Sequence, residues 1–237
     1  MAKRPVALIG YKSGFDTITE IIEAKGLELL GLYDQYFYGN TDEVQGIPVI
    51  GSEEQISDSD IKNVDFILST GWAGHHRKDN IEHNGDNLRR KRIKLIRQLG
   101  LNCPPMINPE AYVHKSTLPL IGEGVIIGRH CQIRANVTIG AFSYIDNLSS
   151  IGHDVTIGEN LSMPPYSFVG GYIDFGSNVL IGAGSTIVNG YSDRNLKIGN
   201  EVKIVAGSTV TKSIPDGKTY IEYTKKRMLG RIDKIDE

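Results

Sequence analysis

The sharpest chemical signal in these 237 residues is a histidine followed by an aspartate, His153-Asp154, in the segment Ile151-Gly-His-Asp-Val-Thr. Imidazole changes charge near neutrality, so it can accept a proton from an attacking amine or hydroxyl. A carboxylate on its other ring nitrogen fixes the tautomer and raises its basicity. Neighbouring side chains on a strand point to opposite faces, so such a pair cooperates only at a corner. From spacing alone, a lone corner histidine is more often a surface residue than a base. Of the other histidines, His75, His76 and His83 fall in the polar stretch GWAGHHRKDNIEHNGD, His114 lies near a proline-marked linker, and His130 reads as an exposed corner. A zinc site needs three converging ligands, and only His130 and His153 share the repeats described next, so no metal is expected.

The element that must carry His153 is periodic. From Ile121 a large apolar residue recurs every six positions through Ile187, and after an offset of five the frame resumes at Ile198, Ile204 and Val210. Gly follows the leading residue at 122, 128, 140, 152, 158, 170, 176 and 182, which absorbs much of an unusual total of 27 glycines. Six is neither a helical period nor strand alternation; it is the signature of a parallel β-helix, whose small rungs are stable only when stacked. Fifteen hexads at three per turn predict about five coils. The expected role of the glycine after each leader is conformational freedom at the corner.

Residues 1–107 read differently. PVALIGYKSG, LELLGLYD and VDFILST are strands, with the helix-compatible FDTITEIIEAKG after the first, an alternation that predicts a Rossmann-like α/β unit. DNLRRKRIKLIRQ is a helix whose basic run, Arg89 to Arg92, is expected on a solvated face. Pro104, Pro105 and Pro109 mark the linker to a second domain, 108–237. Parallel sheets bind ligands at the carboxyl ends of their strands. That places the turn Gly10 to Gly14, Asp34 after the second strand, and Thr70 and Gly71 after the third on one candidate rim.

Composition narrows the partners. A net charge of −2 offers no electrostatic case for nucleic acid or an anionic membrane. No apolar run approaches the ~18 residues of a membrane span, and the amino terminus has no signal-peptide pattern. Two cysteines, Cys103 and Cys131, read as reduced thiols of a cytoplasmic protein.

The two-part plan, the turn YKSG, the strand end LYD and above all IDNLSSIGHDVTIGE resemble the sialic-acid O-acetyltransferase and bacillosamine N-acetyltransferase family of hexapeptide acyltransferases. The resemblance runs from residue 5 to about 215. It implies a small Rossmann-like domain joined to a left-handed parallel β-helix, a homotrimer, and active sites between neighbouring prisms with acetyl-CoA along the groove. By this likeness His153 is the general base and Asp154 its partner. Ser13, Gly14, Phe15, Asp34, Gln35, Thr70 and Gly71 form the nucleotide-sugar site, and acetyl-CoA meets Ser162, Gly171, Ala183 and Ala206.

Three positions depart from the family pattern. Phe15 stands where bacillosamine enzymes carry His, and Asp146 where Asn is common. A tail TYIEYTKKRMLG replaces the usual ending, offering Lys225, Lys226 and Arg227 to CoA phosphates. An acidic Asp146 suits a protonated amino sugar.

The implied activity is acetyl transfer from acetyl-CoA to the amine of a nucleotide-linked deoxy amino sugar for bacterial surface glycans. Transfer is direct, with the Gly171 N–H expected to stabilise the oxyanion. O-acetylation of a free sugar acid such as sialic acid, and a non-catalytic β-helix scaffold, are the rival readings.

Overall fold

The computed structural model describes residues 3–11, 16–71 and 85–222. In its first part, β1 (Val6–Ile9), β2 (Leu29–Tyr33), the short β3 (Glu43–Val44), β4 (Ile47–Gly51) and β5 (Asp65–Leu68) form one sheet in the order β3-β4-β2-β1-β5. All neighbours are parallel except β3 on β4. The sequence does not announce the β3–β4 edge because β3 is only two residues long and Gly46 in the turn and Pro48 within β4 read as strand breakers. Helix α1 (Asp16–Ala24) buries Ile18, Ile21 and Ile22, whose spacing makes one apolar stripe. Helix α2 (Asp58–Asn63) is capped by Ser57, whose hydroxyl accepts from the Asp60 N–H at 3.1 Å. Helix α3 (Gly85–Leu99) closes the sheet's other side, burying Ile93 and Ile96 with Phe66, Leu68 and Phe142.

From Met106 to Tyr220 the chain winds as a three-faced parallel β-helix whose faces hold seven, six and four paired strands. Register is one coil per 18 residues: Thr138 pairs with Thr156, Ser150 with Phe168, Ser162 with Leu180. Leaders from Ile127 to Val210 point inward and are at most 4% exposed. The fourth residue after each leader also turns in, as Val125, Cys131, Val137 and Ser185 do, all fully buried. Burial of this kind is worth about 1.5–3 kcal/mol per large apolar side chain. The prism is longer than the five coils expected. Its end coils are off period, with Met106 pairing Ile126 and Lys203 pairing Thr219, so hexad counting overlooks them.

The hexad glycines do a different job from the one expected. Left-handed backbone falls at the third residue after the leader: His130, Asn136, Phe142, Leu148, Asp154, Asn160, Tyr166, Tyr172 and Asn178 all have φ between 55 and 60 except Asp154 at 54. The glycine directly after the leader sits where the next coil's backbone crosses. A Cβ on Gly152 would lie 2.6 Å from the Gly170 carbonyl carbon, and one on Gly158 2.6 Å from that of Gly176. These glycines are required by close stacking and not by φ.

The first part packs on the seven-stranded face. Val6, Leu8, Ile18, Ile21 and Leu32 share one buried cluster with Met106, Ile126 and Tyr144.

Candidate active site

His153 sits on a corner of the prism, and the left-handed turn at Asp154 brings the two side chains to the same side. His153 Nδ1 lies 2.8 Å from Asp154 Oδ2. The other carboxylate oxygen, Oδ1, accepts from Asn136 Nδ2 at 3.1 Å. These two bonds, His153's first, hold the Asp154 carboxyl below the usual carboxylate range. With Nδ1–H donating to the carboxylate, the Nε2 lone pair faces outward. The ring stays open, its side chain 49% exposed, and meets the Tyr172 ring edge-on at 5.0 Å. Gly171 lies against it: a Cβ there would come 3.0 Å from Cε1 and 3.2 Å from Nε2 and push the ring away.

Asn136 and Tyr172 escape a reading by hexads. They stand 18 residues before and after Asp154, in the same corner column, a spacing visible only once three sides per coil are assumed. Another expectation is corrected here. The Gly171 N–H donates to Asn189 Oδ1 at 3.0 Å, so it is not available to an oxyanion.

The remaining prism residues divide between corners. Gly171 shares the corner of His153, one coil later. Ala183 and Ala206 lie exposed on the corner that also carries Asn147 and Pro165, with the Ala183 carbonyl accepting the Gly207 N–H at 2.9 Å. A single chain therefore does not bring them to the imidazole. Ser162 is not on a groove; it is 7% exposed on the face covered by the first part, in a closed crevice with Thr70, Gly71, Arg89 and Tyr144. Asp146 lies at the same seam, its Oδ1 accepting from Thr17 Oγ1 at 3.0 Å and from the Asn147 N–H at 2.8 Å. This ties α1 to the prism and leaves that oxygen engaged by protein, contrary to the expected amine contact.

At the strand ends of the first part, Asp34 is 2% exposed. Its Oδ2 accepts from the Tyr11 N–H and from Arg92 Nη2, each at 2.9 Å, and Oδ1 from the Tyr36 N–H at 2.9 Å. Thr70 Oγ1 takes Arg92 Nη1 at 2.9 Å. Glu53, also buried, binds the Arg92 guanidinium and accepts the Gln35 N–H at 2.6 Å. Asp34 and Thr70 thus hold the rim together from inside, while Gln35 stays on its surface and Gly71 is half-buried. The solvated basic face expected of Arg89 to Arg92 is overturned at two positions. Arg92 and Arg89 are each 3% exposed, and Arg89 reaches Asn160 Oδ1 at 2.7 Å as well as the Thr70 and Phe142 carbonyls. Three positions apart on a helix, the two share a face, and in α3 that face is the inner one. Gly10, at φ 76, lies where any side chain would strike Arg92 and Thr70. Ser13, Gly14, Phe15, His75, His76, His83, Lys225, Lys226 and Arg227 lie outside the described residues. Among the described residues no three His, Cys, Asp or Glu side chains gather as metal ligands.

No family model matches the chain. Over 120 residues it is 32% identical to GDP-perosamine N-acetyltransferase from Escherichia coli O157:H7, a stretch covering 51% of this chain and 53% of that protein. It is 30% identical over 165 residues to the bifunctional protein GlmU of Prochlorococcus marinus, 55% of this chain and 35% of that one. The chain therefore spans about half, or less, of the curated relatives it matches. Among solved structures, a mutant of perosamine N-acetyltransferase from Caulobacter crescentus in complex with CoA and GDP-perosamine superposes with a TM-score of 0.74 at 23% identity, over 92% of this chain and 93% of that one. WeeI from Acinetobacter baumannii AYE gives 0.71 at 22% identity, over 91% and 95%. The resemblance read from the sequence holds: the relatives are hexapeptide-repeat sugar acyltransferases. At 22–23% identity the likeness to these solved structures is one of fold, and it extends over nearly the whole chain.

Proposed function

We propose that this protein transfers an acetyl group from acetyl-CoA to the amine of a nucleotide-linked 4-amino-4,6-dideoxy sugar. The observation that carries this reading is the His153–Asp154 pair at 2.8 Å on an open corner, braced by Asn136 and seated over a glycine. The amine attacks the thioester carbonyl while Nε2 of His153 takes its proton; the carbon–sulfur bond then breaks, and the proton passes to the departing thiolate. Transfer is direct. Burial pushes the thiols of Cys103 and Cys131 up to about 12 and about 11, which suits neither to carry the acyl group.

The active unit is a homotrimer of left-handed prisms. Support comes from the split of Gly171 and His153 from Ala183 and Ala206: a second copy is needed to set one corner beside the other. Leu148, Tyr166 and Phe168, 45%, 68% and 46% exposed, give the intervening surface apolar patches for such a contact. The first part serves as the Rossmann-like nucleotide-sugar unit, dividing from the prism just ahead of Met106. Its contacts are Ser13, Gly14, Phe15, Gln35 and Gly71, with Asp34 and Thr70 behind them. No described helix is long and apolar enough to cross a membrane, and a cytoplasmic setting supplies acetyl-CoA.

One observation favours a second reading. The engagement of Asp34 and Glu53 by Arg92 leaves no buried carboxylate open to a ribose among the described residues of the rim, which suits O-acetylation of a free sugar acid. Titration with GDP, UDP and dTDP separates the two, since only the first reading requires one of them to bind. The main test is acetyl transfer to GDP-perosamine or a related nucleotide amino sugar, alongside His153→Ala. Undiminished turnover in an intact His153→Ala assembly would remove the base from the mechanism.

A further inference from the structure

Between its off-period end coils the described prism breaks its repeat once. Across the break Asp174 pairs with Lys197 and Thr186 with Thr209, 23 residues apart instead of 18, so the five extra residues leave the wall without disturbing its stacking. Together with Gly190 at their root they form a blister at 190–195 on the His153 corner. Its root is built on the two residues that flank the imidazole: the Gly190 N–H donates to the Gly171 carbonyl at 2.9 Å, and the Leu196 N–H to the Tyr172 carbonyl at 3.0 Å. Inside the blister Tyr191 and Arg194 exchange backbone hydrogen bonds of 3.1 and 2.9 Å, and the Arg194 guanidinium lies 5.7 Å from the Tyr191 ring centroid. Asn195 Nδ2 ties the far side to Asp174 Oδ1 at 2.9 Å. Residues 191–194, Asp193 among them, are exposed.

A cation held this way has lost much of its side-chain freedom before any ligand arrives. It stands two coils beyond His153, about 10 Å of axial rise. The register of Ile187 with Val210 sets the exposed Lys212 on the next coil of the same corner. The later coils of the corner that a second copy would set beside His153 are nearly bare. Ala183 and Ala206 are exposed, and a Cβ on Gly184 or Gly207 would find nothing within 4 Å. An elongated thioester seated at His153 has open space toward the later coils. A pantetheine arm spans roughly 15 Å from sulfur to first phosphorus at ordinary bond lengths, which is the blister's height plus the reach of an arginine.

We propose that the blister is a phosphate grip for the CoA co-substrate. Arg194, fixed by Tyr191, donates to pyrophosphate oxygens, and Lys212 adds charge behind it. The proposal rests on the acetyl-CoA reading above, and the two are separable by experiment. Calorimetric titration with CoA is run on wild type, Arg194→Ala, Tyr191→Ala and Tyr191→Phe, with kinetics on acetyl-CoA and on S-acetylpantetheine, which has the thioester but no phosphate. Arg194→Ala is expected to weaken CoA binding, and to raise the KM for acetyl-CoA, about tenfold. The KM for the sugar and kcat/KM with S-acetylpantetheine should stay at wild-type values. Tyr191→Ala should give part of the loss and Tyr191→Phe none. Unchanged CoA affinity in Arg194→Ala, or an equal loss with both thioesters, overturns the grip alone. Wild-type protein that binds no CoA overturns the acetyl-CoA reading and the grip with it.

Discussion

The two parts of this molecule place their polar groups by opposite rules. In the prism a side chain's surroundings follow from its position in the hexad and from residues 18 away, so a corner such as Asn136–Asp154–Tyr172 is assembled from local geometry repeated. In the sheet unit they follow from distant partners: Arg92 joins Asp34, 58 residues away, and Arg89 joins Asn160, 71 away. The prism keeps the His153–Asp154 pair open to solvent. The sheet unit buries its charges, with Asp34, Glu53 and Arg92 each no more than 3% exposed. A repetitive scaffold can expose chemistry because its core is complete without it, whereas the open sheet uses charge to fasten its own rim.

Substitutions can break or sharpen that contrast. The largest effect belongs to His153→Ala, expected to lower kcat about 10²- to 10⁴-fold without changing the melting temperature, since nothing in the core depends on this ring. A fall in melting temperature of many degrees would show the open corner to be structural. Next is Arg92→Met, which strands two buried carboxylates and should cost about 3–5 kcal/mol in urea unfolding. Arg97→Ala, on the same helix but 44% exposed in its pairs with Glu123 and Glu159, should cost less than about 1 kcal/mol. Similar losses for both would erase the distinction drawn for the sheet unit.

Glycine substitutions probe the prism's rule by itself. Gly158→Ala puts a methyl group into the next coil's backbone and should destabilise by about 1–3 kcal/mol. Gly184→Asn, at a left-handed position where the same corner type already carries Asn136, Asn160 and Asn178, should be close to neutral. The smallest effect on turnover is that of Asn136→Ala. Asp154's carboxyl is held low by His153 and Asn136, so the pair survives mild acid and is lost only as pH falls through that depressed value. Without Asn136, carbon-13 NMR titration should find the Asp154 carboxyl moved up toward the ordinary range, with kcat reduced a few-fold. An unmoved Asp154 would remove Asn136 from the corner's chemistry.

How much of this is written in the sequence differs in the same way. The β-helix, its inward leaders and the His153 corner are legible because each hexad reports its own geometry. The reason for its glycines is not: a glycine needed for backbone freedom and one needed for close approach look identical until coils are stacked. The basic run of α3 misleads because Arg89 and Arg92 spell a solvated surface, and only their partners Asp34, Glu53 and Asn160, remote in sequence, reveal the inner face. Ser162 fits the hexad pattern and still lies under the sheet unit, because hexads do not say which face a second unit will cover.

The blister at 190–195 carries a consequence beyond its own chemistry. Since the five added residues leave the strands on either side of them in register, the wall behaves like a zip fastener that can carry a tag between two teeth. New reach, charge or selectivity over the imidazole can thus be gained by lengthening a single vertex, with the fold's stability left to the rungs on either side.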